Sequence, residues 1–127
     1  MIALLISVSS FFYSDSNQHP IDVHLKDCLA ASHATMPRAH CYTTAYNAWE
    51  KDINATEKKL LSKATAAQKT ILHADQTAWE KERDVAFQNI ADKYNNRRGT
   101  GYIPVRIELR MQVLRKRALT LEAALHQ

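Results

Sequence analysis

The groups able to do chemistry are spread thinly along this chain of 127 residues, which has two cysteines, six histidines and 13 carboxylates. His33 and His40 stand near Cys28 and Cys41, a set that could hold zinc. The cysteines lie 13 positions apart, however, and the set lacks the paired spacing of a zinc site, so no metal is expected. His19, His24, His73 and His126 are dispersed. Most Asp and Glu residues fall a helical turn from Lys or Arg, as on a solvated face. The glycine-rich phosphate loops, the His-Glu-x-x-His metal motif and the Gly-x-Ser-x-Gly nucleophile elbow are all missing. No catalytic residue, cofactor or small-molecule substrate is expected. Asn54-Ala55-Thr56 is a glycosylation sequon set in a helical pattern, which gives it little weight.

The two cysteines have two readings. An even count in a small chain, behind an apolar amino end, favours a bridge, and the helix pattern around Cys28 and Cys41 brings them together. Closing such a loop stabilises by about 3 kcal/mol through the unfolded state. The alternative is a pair of reduced, buried thiols. The amino end, residues 1–16, contains Met1-Ile2-Ala3-Leu4-Leu5-Ile6-Ser7-Val8, too short to span a bilayer. It suits the core of a secretory signal, or of a truncated one, since no Lys or Arg precedes it. A buried N-terminal segment or a mis-assigned start is the other reading. Residues 17–127 form one domain.

Positioning these groups falls to helices. Two glycines and three prolines interrupt a chain rich in Ala, Leu, Lys, Glu and Gln. Apolar residues at Ile21, Leu25, Cys28 and Leu29 mark a short helix over 21–30. A turn follows, with Thr35 as the expected N-cap and Pro37 in the next first turn. The second helix spans about 38–64, with a stripe of Tyr42, Ala45, Trp49, Ile53, Thr56, Leu60 and Ala64. The third spans about 67–95, with Leu72, Gln76, Trp79, Arg83, Phe87, Ile90 and Tyr94 on one face. The glycines break the chain at 95–101, and a last helix over 104–125 carries Ile107, Met111, Leu114, Ala118, Leu121 and Leu125. The fold class is all-α, a disulfide-stapled bundle of one short and three long helices.

The pattern has two further features. Ala48-Trp49-Glu50-Lys51-Asp52 recurs as Ala78-Trp79-Glu80-Lys81-Glu82, 30 residues later. If the chain reverses near 65–66, the second and third helices form a hairpin that brings the tryptophans to one level. Arg83, on an apolar face, must then be paired, and Asp52 is the expected partner. The second feature is the charge. The net charge is +4, and seven of the cations lie between Arg97 and Arg117 against one acid, Glu108. Arg106, Arg110 and Arg117 share one side of the last helix with Leu109 and Val113 beside them, giving either the rim of the core or a docking face.

The spacing Ala74-x-Gln76-x-Ala78-Trp79-x-x-x-Arg83-Asp84 resembles the signature of the LprI-like lysozyme-inhibitor family. Cys28, Cys41, Ala45, Trp49, Asp52 and Asn54 are similar to that family's cysteine pair and its Asp-Leu-Asn-like segment, with Ile53 in the Leu position. The similarity covers about residues 20–122. It implies a small helical protein of the bacterial envelope, periplasmic or secreted, that binds a lysozyme (a muramidase) and inhibits it without chemistry. It also implies that Trp49, Asp52, Asn54, Gln76, Trp79, Arg83 and Asp84 serve the scaffold, leaving the loops at 32–40 and 95–103 as contacts. Lysozymes of the host type are cationic, so a chain of net charge +4 needs a local acidic surface to dock on one. Two other readings stand beside this one. One is an envelope binding module using Arg106, Arg110 and Arg117 on acidic protein, anionic lipid or, least favoured, nucleic acid. The other is a toxin immunity-type protein.

Overall fold

The computed structural model describes residues 18–127, so the signal reading of residues 1–16 lies outside the described residues. Four helices follow in order: α1 (Pro20–Ala30), α2 (Thr35–Lys63), α3 (Ala66–Tyr94) and α4 (Tyr102–Leu125). No strand occurs among the described residues.

Each helix end has a local cause. In α1, the His19 side chain accepts the Ile21 N–H, and Pro20 follows in the first turn, where its missing N–H costs nothing. Asp22 adds a favourable charge at the same end. The α1–α2 turn is closed by Arg38, whose Nη1 donates to the carbonyls of Ser32 at 3.1 Å and Leu29 at 3.4 Å. Thr35 is not the cap of α2, as expected from its type, but its first residue. Ala34 precedes it in extended conformation and makes no side-chain capping bond. The break between α2 and α3 is only Ala64 and Thr65. Thr65 and Gln68 form a capping box there, with Thr65 Oγ1 accepting the Gln68 N–H and Gln68 Oε1 accepting the Thr65 N–H. Before α4, Gly99 takes φ 95°, a left-handed conformation that side chains disfavour.

The core is the seam between α2 and α4. Tyr42, Ala45, Trp49 and Ile53 from α2 interlock with Met111, Leu114, Ala118 and Leu121 from α4. These are the central members of the two stripes set by helical spacing. Burial of such side chains supplies roughly 1.5–3 kcal/mol each. Ile21, Leu25 and Leu29 bring α1 onto this seam, and Trp79 and Phe87 bring α3.

The expected hairpin of the second and third helices is therefore corrected. The extensive packing is α2 on α4, with α1 on α2 and α3 on α4, while α2 and α3 make little close backbone approach. Their antiparallel register is nearly the expected one. Tyr46 sits across from Phe87 with ring centroids 6.3 Å apart, two positions off the expected partner. What differs is the separation. The α3 face carries Gln76 and Arg83, which cannot be buried bare, whereas the α4 stripe is apolar throughout its centre. The apolar helix takes the core position, and α3 has no buried residue along its 29 positions.

The two cysteines are joined: Cys28 of α1 and Cys41 of α2 form a disulfide with Cα atoms 5.8 Å apart. Cys41 is buried in the core side of α2.

Candidate functional site

The signature residues fall into two constellations on either side of α4. The first surrounds Trp49, which is completely buried. The His19 ring lies 4.4 Å from the indole, and the Arg115 guanidinium stands 5.9 Å from the same ring. Arg115 in turn holds Asp22 through two-pronged hydrogen bonds of 2.8–3.1 Å, tying α1 to α4. His19 makes a second tie, with Nε2 2.9 Å from Glu122 Oε1.

Asp52 joins this group, and its place there overturns the expected Arg83–Asp52 pair. His19, Asp52 and Glu122 offer ligand atoms all within 4.8 Å of one another, the arrangement of a cation site. The histidine argues against that use. Its Nδ1 accepts the Ile21 N–H, so the neutral ring carries its proton on Nε2 and donates it to Glu122. A metal at Nε2 would require that proton to leave while Nδ1 remains an acceptor. The cluster instead works as a proton-bearing clasp. Burial and, after it, the neighbouring Glu122 raise the Asp52 carboxyl to about 6. Burial also pushes Glu122 upward, but hydrogen bonds from Asp52 and His19 outweigh it and hold that carboxyl below its ordinary range. As a carboxylate, Asp52 leaves a buried Oδ2 without a donor. Protonated, it can donate to Glu122 and close a chain from Ile21 through His19 and Glu122 to α2.

The second constellation surrounds Trp79. Arg117 of α4, 8% exposed, reaches across to α3, where Nη2 donates to Asp75 Oδ2 at 2.8 Å and Gln76 Oε1 at 2.9 Å. Its guanidinium also stands 5.3 Å from the Trp79 ring. Arg83 takes the same distance from that ring and bonds its neighbour Asp84 at 3.0 Å. The polar residue expected to be sealed between two tryptophans is thus a half-exposed arginine beside one of them. Arg117, placed by spacing on a flank that is either core rim or docking face, is the arginine that is buried. Arg106 and Arg110 remain half-exposed on α4, so the three do not form one open patch. Asn54 is exposed, and Thr56 of the sequon is buried.

Between α2 and α3 the structure leaves a groove of about 390 Å³, floored by Ile53 and Leu114. Tyr46, Trp79 and Phe87 line it, and Gln76, Arg83 and Asp84 of the signature face it. Sequence reasoning placed Gln76, Trp79, Arg83 and Phe87 on one helical face but sealed that face against α2. It missed His19, Asp22, Asp75, Arg115 and Glu122 as tying residues. Helical spacing carries no information on such long-range pairs. The Thr65-x-x-Gln68 box, by contrast, is a readable local signal.

This arrangement is that of a four-helix, disulfide-stapled scaffold in which signature residues help connect the helices. A family model described as lysozyme inhibitor LprI matches residues 26–121, and the chain belongs to that family. The crystal structure of an uncharacterized protein from Burkholderia thailandensis is similar, with a TM-score of 0.68 and 25% sequence identity over 87% of this chain. The present chain spans 56% of that protein's length. No curated protein matches the chain significantly. Among the described residues no helix is long and apolar enough to cross a membrane.

Proposed function

We propose that the protein is an extracytoplasmic lysozyme inhibitor that acts by protein–protein binding, not by catalysis. The observation that carries this reading is the family match across residues 26–121, which takes in Trp49, Asp52 and Arg115 of the first constellation and all of the second. The Cys28–Cys41 bridge supports a location outside the cytoplasm, because disulfides persist in oxidising compartments. The signature residues support it in a second way. Trp49, Asp52, Gln76 and Trp79 are engaged in holding helices together, which leaves recognition to the exposed surface that they shape.

The basic-face alternative loses support from the geometry. Arg115 is paired with Asp22, and Arg117 is buried against Asp75 and Gln76. The direct test is lysis of bacterial cells by lysozyme, followed as turbidity, with and without the purified oxidised protein. Protection at modest molar excess against at least one lysozyme type is the expected result. No protection against any type at large excess overturns the reading.

A further inference from the structure

The chain as a whole is cationic, but its α2–α3 groove is not. Three acids line it, Glu50, Glu80 and Asp84, against one cation, Arg83. Arg83 is neutralised by Asp84 at 3.0 Å. Among the described residues, neither Glu50 nor Glu80 makes an ion pair, and both are exposed. Beneath these charges stand the half-buried rings of Tyr46, Trp79 and Phe87. The Trp79 ring already has Arg83 and Arg117 at 5.3 Å, so an incoming cation is attracted by the exposed carboxylates and by the Tyr46 and Phe87 rings. The same carboxylates repel anionic lipid and nucleic acid. A volume of about 390 Å³ lies at the small end of ligand sites and suits one or two long side chains better than an inserted helix. The walls are two 29-residue helices, so the opening is held by regular backbone and not by a loop.

We propose that the α2–α3 groove is the docking site for a cationic protein surface, with a protruding Lys or Arg of the partner seated beside Tyr46 and its charge met by Glu50 and Glu80. The inference rests on the inhibitor reading for the identity of the partner, and it locates the recognition site away from the 32–40 and 95–103 segments, of which only 32–34 and 95–101 lie outside the helices. It also resolves the charge conflict. A positive chain can bind a positive partner when the contact itself is acidic.

The test compares two charge-reversed proteins of equal net charge. Glu50→Lys with Glu80→Lys changes the groove, and Asp27→Lys with Glu82→Lys changes exposed positions outside it. Thermal melts establish that both fold. Affinity for a cationic c-type lysozyme is then measured by calorimetry at low and moderate salt. The groove pair is expected to weaken binding by about tenfold or more, and the outside pair by no more than about threefold. Equal losses in the two proteins, or no loss in the groove pair, overturn the groove while leaving the inhibitor reading intact. If the native protein binds and inhibits no lysozyme, the inhibitor reading fails by itself. The groove is then decided with a hexalysine peptide and amide and indole NMR shifts. Shifts confined to Gln76, Trp79 and their groove neighbours, abolished in Glu50→Lys/Glu80→Lys, sustain it. Absent or scattered shifts overturn it.

Discussion

Trp49 and Trp79 occupy matching places in a repeated Ala-Trp-Glu-Lys segment, yet they end in different surroundings. Trp49 is 0% exposed in the α2–α4 seam, whereas Trp79 is half-exposed beside two arginines at the edge of a groove. The difference comes from the neighbours of each on its own helix face. After Trp49, helical spacing presents Ile53 and Thr56 to the core. Around Trp79 it presents Gln76 and Arg83, which need partners and keep water near. Both tryptophans have an arginine beside the ring, but Trp49 is sealed in an apolar seam, whereas Trp79 keeps its cations and carboxylates near solvent. The first setting resists change, and the second leaves room for a partner.

Truncating the two tryptophans is the severest test of this contrast. Trp49→Ala should cost about 3–5 kcal/mol, the usual toll of a large core cavity. Trp79→Ala should cost roughly half as much or less, because its site already opens to solvent. Urea melts of both would break the comparison if the costs were equal. Opening the disulfide comes next, since it links α1 to the α2–α4 seam. Cys28→Ser with Cys41→Ser is expected to lower stability by about 3 kcal/mol, read from the shift in denaturation midpoint.

The arginines give a finer contrast. Arg117→Ala strands Gln76 and leaves Asp75 without its partner. Asp75 is 58% exposed and can be rehydrated, so a loss of about 1–3 kcal/mol is expected, below that of a fully buried pair. Arg83→Ala removes an exposed contact with Asp84 and a place beside the Trp79 ring, and should change stability by about 1 kcal/mol or less. A thermal melt in which Arg83→Ala is the more damaging of the two would return Arg83 to the core role that its position first indicated.

The clasp beside Trp49 sets the smallest effect, a dependence on pH. Asp52 titrates at about 6 in the fold against an ordinary 3.8, so the folded chain holds an extra proton between those values. The stability this contributes is fully present below about pH 4 and is lost as pH rises through about 6. Glu122, held below its ordinary range, works in the opposite sense and loses its contribution only at more acidic pH. His19 and Lys59 face Asp52 and oppose its upward shift. Native stability followed from pH 4 to 7 should carry the downward Asp52 component, and Asp52→Asn should lack it. Identical pH profiles for the two proteins would remove the clasp.

Much of this molecule is legible in the sequence, and the limit has a physical origin. Repetition at 3.6 residues identifies the face each helix buries, so Tyr42, Trp49, Ile53, Met111, Leu114 and Leu121 are readable as core. Periodicity does not say which helix meets which face. The hairpin of α2 with α3 follows from chain order and the tryptophan repeat, but packing selects by apolar area, and α4 offers more of it. The same gap misplaces Arg117. Spacing puts it beside Arg106 and Arg110, while its actual environment is made by Asp75 and Gln76, about 40 residues upstream. The disulfide is readable because both cysteines sit on neighbouring helices joined by a short turn. His19 is unreadable as a cap because Ser, Thr, Asp and Asn are the usual residues there.

The two-residue joint at Ala64–Thr65 has a consequence for time as well as shape. A 29-residue helix with no buried residue, fixed at its start by a capping box and docked mainly on α4, can leave and return while the α2–α4 seam stays closed. In hydrogen exchange, the α3 amides should therefore report a partial opening, cheaper and more frequent than global unfolding, whereas the central amides of α2 and α4 exchange only when the whole domain opens. The clock of the groove is set by α3, and the clock of the fold by α2 and α4.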